Sequence, residues 1–174
     1  MTGIADPYAA GLLTDQPLTD QPPAAAMASD VLTAALLARG VCRMLEQLGY
    51  ASLLEFPLAN GRRADILALG RGGELIIVEI KSSVADFRAD RKWAGYRDFA
   101  DRFYFAVARD FPPALIPEDC GLIVADGFAA AVVREGGASL LAPARRKTLT
   151  LRFALAAAMR LRRHLDPRGG LTGL

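Results

Sequence analysis

The chain has 174 residues, 52% of them hydrophobic and 23% charged, enough to bury one good core and most simply read as a single domain. Its formal charge of +2 hides an asymmetry: residues 1 to 28 hold Asp6, Asp15 and Asp20 and no lysine or arginine, so the rest stands at +5, which permits a polyanionic partner. No stretch reaches about eighteen uninterrupted apolar residues, the amino terminus lacks the basic start and apolar core of a signal peptide, and Cys42 and Cys120 form no Cys-x-x-Cys pair, so no membrane span and no zinc site are expected and a cytoplasmic location follows.

Residues 1–28 are rich in Ala, Pro, Asp, Gln and Thr without a sustained period, the composition of a disordered tail. The domain is expected over 29–168, with 169–174 as a carboxy-terminal tail. Ser29-Asp30 is a helix start signal, and Val31 to Leu48 reads as a helix with Val31, Ala34, Ala35, Val41, Met44, Leu45 and Leu48 on its apolar face and Gly49 as its stop. Strands are predicted at about 51–58, 63–69 and 74–81, the last two joined through the turn signal Gly70-Arg71-Gly72-Gly73. A helix near 84–99 contains Phe87, Lys92, Trp93 and Tyr96. The strand Arg102 to Ala108 follows, then a loop from Phe111 to Pro117 with one helical turn. A last hairpin is expected from 121–125 and 130–134, and a closing helix from Leu149 to Leu165. The order is helix, three strands, helix, strand, with no internal repeat.

The run Glu74 to Lys81 is β-branched and continuously apolar until its far end, the pattern of a strand covered on both faces. Burying an unpaired carboxylate costs at least a few kcal/mol, so Glu79 should be paired, protonated or bound to a cation. Side chains alternate along a strand, so Glu79 and Lys81 share a face about 7 Å apart. Thirteen residues separate Asp65 from Glu79, and a hairpin through the glycine turn lets Asp65 lie across from it. The two carboxylates could then hold one hard cation, Mg²⁺ or Mn²⁺, which takes oxygen ligands and keeps several waters. Lys81 would orient an attacking water or stabilise charge developing on a phosphate. Spacing alone equally allows a strand-end ion pair on a solvated rim.

Asp65, Glu79 and Lys81 resemble the D-x(n)-E-x-K signature of the PD-(D/E)XK nuclease superfamily. In addition, Asn60 to Asp65, Val78 to Ser83, Lys92 to Asp98 and Asp119 to Asp126 together look like the bacterial MmcB-type DNA repair proteins, a resemblance running from about Val31 to Leu165. It implies an α/β fold with a restriction-endonuclease-like core, extended here by the carboxy-terminal hairpin and basic helix. It also implies a DNA repair setting, more firmly than it implies cleavage. Two departures stand out. Ala64 replaces the proline that often precedes the aspartate, and Lys92-x-x-x-Tyr96 stands where some relatives carry Gln-x-x-x-Tyr. A lysine can contact a phosphate but cannot copy an amide's acceptor.

Further candidates surround this triplet. Glu55, on the first strand, is either a third carboxylate at the metal or an exposed edge-strand acid. Lys92 and Tyr96, four apart on the predicted helix, are expected to face the site, while Trp93 packs in the core. Arg62 and Arg63 suit phosphate contacts, or are simply solvated. The stretch with Arg145, Arg146, Lys147, Arg152, Arg160, Arg162, Arg163 and Arg168 is the most basic part of the chain. It could lie along a DNA backbone, or be an amphipathic support whose Leu151, Phe153, Leu155 and Leu161 pack and whose arginines keep it soluble. His164 stands alone and is assigned no catalytic task.

Three function classes follow. The first is a metal-dependent DNA nuclease of repair type, with Asp65 and Glu79 on Mg²⁺ and Lys81 assisting water attack. The second is a nuclease-like module that binds DNA or another repair protein without cutting. A small-molecule enzyme finds little support, because Gly70-Arg71-Gly72-Gly73 joins two strands rather than opening a helix. Oligomeric state is not legible.

Overall fold

A computed structural model describes residues 34–90 and 92–167. The expected 1–28 and 169–174 tails, the start of the first helix at Val31, and Arg168 lie outside them. The elements run α1 (Ala34–Gln47), β1 (Tyr50–Pro57), β2 (Arg63–Gly70), β3 (Leu75–Lys81), α2 (Val84–Ala89), a 3-10 segment (Trp93–Phe99), β4 (Arg102–Val107), a short 3-10 turn (Pro113–Leu115), β5 (Gly121–Ala125), β6 (Ala130–Arg134) and α3 (Pro143–Leu165). The six strands form one mixed sheet in sequential order. β1, β2 and β3 are antiparallel neighbours, β3, β4 and β5 are parallel, and β6 returns antiparallel to β5.

The glycine turn makes the β2–β3 hairpin. Gly73 has φ +85, a conformation that favours glycine, and its N–H donates to the Gly70 carbonyl at 3.0 Å. Every residue of β3 is buried, as a strand with neighbours on both sides and layers on both faces requires. On one face α1 packs Leu37, Ala38, Val41, Met44 and Leu45 against Ile66, Ile76, Val78, Ile80, Tyr104 and Ile123. These positions recur at helical spacing, and each large side chain fully buried contributes about 1.5–3 kcal/mol. The expected face was partly misplaced: Ala34, Ala35 and Leu48 are exposed, and Leu37 and Ala38 do the packing. Gly49, at φ +86, does end the helix.

The other face is an aromatic layer. Phe103 and Phe105 of β4 meet edge to face at 5.0 Å, Tyr96 and Trp93 stack on Phe103 at 6.1 and 6.0 Å, and Phe87 abuts Phe105 at 5.4 Å. Trp93 therefore packs as expected. The expected helix over 84–99 is broken instead: α2 ends at Ala89, and after Asp90 the chain resumes as 3-10. At the break the Asp90 side chain accepts from the Lys92 N–H at 2.8 Å, a bond that competes with continuing the helix, and it also takes the Lys81 ammonium at 2.7 Å.

α3 starts six residues before its predicted beginning, with Pro143 in its first turn, where a missing N–H costs no helical bond. The packing reading of this helix holds only in part. Leu149 and Phe153 are buried, whereas Leu151, Leu155 and Leu161 are exposed. Its arginines reach back into the fold: Arg145 donates to the Asp98 carbonyl, Arg146 to Asp101 and the Gly73 carbonyl, Arg152 to the Pro57 carbonyl, and Arg160 to the carbonyls of Leu54 and Glu55.

Candidate functional site

The β2–β3 register pairs Leu67 with Ile77 and Ile66 with Val78, then stops. One step further the strands open, and Asp65 and Glu79 fill the gap on the aromatic-layer side. Their carboxylates substitute for ladder bonds. Asp65 Oδ2 accepts from the Ile80 N–H at 2.8 Å, and Glu79 Oε1 accepts from the Asp65 N–H at 3.3 Å. Each acid is thereby fixed by the other's strand and keeps a second oxygen: among the described residues Asp65 Oδ1 has no hydrogen-bond partner, and Glu79 Oε2 lies 4.0 Å from Lys81 Nζ. The spacing and the hairpin thus bring together the two acids and the lysine that the sequence singled out.

Glu79 and Lys81 are each only 4% exposed. Burial, with the charge of Asp65 adding to it, pushes the Glu79 carboxyl up to about 8 against the partial relief of the Asp65 amide and Lys81. Burial likewise raises Asp65, with the charges of Glu55 and Asp86 adding and the Ile80 amide and Lys81 opposing. Adjacent buried acids held above the usual range favour protonation or a cation's company over bare charge.

Lys81 is not that cation at close range. Its nearest carboxylate is Asp90, at 2.7 Å. Burial opposes ionisation of Asp90, but the hydrogen bonds from Lys81 and the Lys92 amide outweigh it and hold its pKa below the usual carboxylate value. Asp90 was missed in the sequence because it fell inside the predicted helix. An acid nine residues beyond a buried lysine was its sole trace.

Glu55 does not join the acids. The β1–β2 register runs from Leu54 with Ile66 to Phe56 with Ala64 and skips Glu55, whose backbone turns to φ +51 and whose exposed carboxylate pairs with Arg63. Among the described residues no group of three or more potential metal ligands forms, and of the two readings of Glu55 its place fits the exposed edge-strand acid, held at the surface by its arginine, rather than the third carboxylate. Arg63 remains largely exposed beside it. Arg62 turns inward. Its guanidinium donates to the Lys92 carbonyl, lies 5.7 Å from the Tyr96 ring, and packs where a Cβ on Gly95 would come within 2.9 Å of it. A side chain at position 95 would make the guanidinium shift.

Lys92 and Tyr96 do not share a helix face, since Lys92 caps the 3-10 segment rather than preceding Tyr96 by one α-turn. The Lys92 side chain is exposed. Tyr96 is buried, and its hydroxyl donates to the Arg63 carbonyl at 3.1 Å. Burial and the charges of Glu79, Asp65 and Asp90 push that hydroxyl up to about 12, so it stays protonated and donates to the Arg63 carbonyl.

The donor set suits a hard cation. Two carboxylates of adjacent strands each offer an oxygen, their one close cation, Lys81, stands 4.0 Å from Glu79 and nearer to Asp90, and Mg²⁺ is commonly held by one or two carboxylates with waters and substrate phosphates completing its shell. Asp65 and Glu79 would hold such an ion.

A family model of the MmcB-like DNA repair proteins matches residues 19–168, and the chain belongs to that family. A solved structure from Silicibacter pomeroyi, titled a protein of unknown function, is similar at 46% identity and a TM-score of 0.77, covering 79% of this chain and 94% of that one. Among curated proteins nothing matches. Among the described residues no helix is long and apolar enough to cross a membrane.

Proposed function

We propose that the chain is a DNA repair nuclease on a restriction-endonuclease-like core of the PD-(D/E)XK type, hydrolysing phosphodiester bonds with a divalent ion held by Asp65 and Glu79. The observation that carries this is the reciprocally braced acid pair, incompletely compensated by the buried lysine beside it at the end of β3, in a member of a DNA repair family. A bound Mg²⁺ or Mn²⁺ supplies Lewis acidity toward the phosphate and makes water a better nucleophile. The protein's own groups do the rest. Asp65 and Glu79 fix the ion against two strands. Lys81 lies beside Glu79 and offsets negative charge as water oxygen adds to phosphorus and the bond to the departing sugar oxygen breaks, a proton passing to that oxygen. The Tyr96 hydroxyl and the Arg62 guanidinium keep the neighbouring loop in place.

Incubation with labelled single-stranded, duplex, flapped and branched DNA plus Mg²⁺ or Mn²⁺ tests the proposal. Cleavage by the wild type that is lost in Glu79→Ala supports it, and no cleavage on any substrate, or equal cleavage by the variant, rejects it.

A non-cleaving DNA- or partner-binding module is the second reading. The observation that favours it is that no group of three or more potential metal ligands forms among the described residues. DNA affinity in a gel shift that is unchanged by chelator and by Asp65→Ala would support it over catalysis.

A further inference from the structure

We propose that Asp90 is a positioning residue that holds Lys81 off the acid pair and so leaves Asp65 and Glu79 open to a divalent cation, an inference that rests on reading those acids as a cation site. Glu79 projects from the same strand face as Lys81, two residues away, and would be the ordinary partner for its ammonium. Instead Lys81 Nζ is 2.7 Å from Asp90 Oδ2 and 4.0 Å from Glu79 Oε2. The Lys81 and Glu79 side chains are 5% exposed and that of Asp90 20%, so the selection is made where water screens little.

The Asp90 carboxylate is placed by its own backbone. Its Oδ1 accepts from the Lys92 N–H at 2.8 Å and its N–H donates to the Asp86 carbonyl at 3.3 Å, which fixes the turn out of α2. The Lys92 carbonyl is in turn taken by Arg62. Lys81 thus makes its close contact with Asp90 and only the longer, 4.0 Å one with Glu79, which leaves the acids incompletely compensated. Were Lys81 on Glu79, an incoming ion would have to displace an ammonium from a buried contact.

Mn²⁺ titration of the full chain by calorimetry, at neutral pH, tests this without any turnover. Asp90→Asn frees Lys81 to close on Glu79, so Mn²⁺ affinity falls by about tenfold or more. Adding Lys81→Met removes the competitor and returns affinity to within about threefold of wild type, a rescue that loss of structure would not give. The double variant removes a neutral pair and leaves no half-pair buried, so it serves if the single variant does not fold. Its affinity falling tenfold would overturn the proposal, as would undiminished affinity in Asp90→Asn; both leave the acids' reading intact. Absence of Mn²⁺ uptake by the wild type overturns both.

Discussion

The two ends of β3 carry the same kind of group in opposite electrical states. Where the strand begins, the Leu75 N–H donates to Asp101 at 2.7 Å, and Arg146 pairs with both carboxylate oxygens of Asp101 at 2.6 Å. Burial resists that charge, yet the hydrogen bonds from Arg146 and from the Leu75 and Leu141 amides prevail and hold Asp101 below the usual carboxylate range. Where the strand ends, Ile80 donates to Asp65 at 2.8 Å, but the local cation has been drawn to Asp90, and both Asp65 and Glu79 are raised. Backbone donors fix a carboxylate's place in either setting. A full counter-ion decides whether it is structural glue or an unmet demand.

Removing the compensated acid should do the greatest damage. Asp101→Ala leaves Arg146 without its partner and the Leu75 amide without its acceptor, and a loss of roughly 3–5 kcal/mol is expected in urea unfolding. A loss under about 1 kcal/mol would break the contrast.

Glu79→Gln should do the reverse. In the metal-free protein the folded carboxyl titrates at about 8 against an ordinary 4.5, so between those values the folded state binds more protons than the unfolded one, and stability falls as pH rises through that window. A neutral amide removes the slope. Expected is an unfolding free energy close to wild type at acid pH and higher above pH 8 by on the order of a few kcal/mol, read in urea unfolding across pH. The contribution of Asp101, whose folded value is depressed, is present above 3.8 and lost on acidification below it.

Mn²⁺ at about a hundred times its dissociation constant should stabilise the wild type by about 2.7 kcal/mol and Asp65→Asn by far less, read as a melting shift. Equal shifts would mean the ion sits elsewhere. Smallest is Glu55→Gly, which relieves a left-handed backbone at the cost of an exposed ion pair and is expected to stabilise by within about 1 kcal/mol in urea unfolding.

The acid pair was legible because its geometry is local: a glycine turn and a buried run set the hairpin, and strand periodicity did the rest. The broken helix was not legible. At the break Asp90 accepts from the Lys92 N–H and holds Lys81, nine positions upstream, and the second of these contacts is tertiary and leaves no local trace in the sequence. The α3 arginines carried the same ambiguity, since a cluster of cations in a sequence does not say whether it faces phosphates or the chain's own carbonyls. The α1 face was misjudged where alanines offered little to distinguish inside from outside.

Those inward arginines have a consequence for association. β1 is a terminal strand of the sheet, and the carbonyls of Leu54, Glu55 and Pro57 are already engaged by Arg160 and Arg152. A foreign strand seeking to extend the sheet there would have to strip away two guanidinium groups first, so runaway edge-to-edge stacking is blocked on that flank by the protein's own last helix.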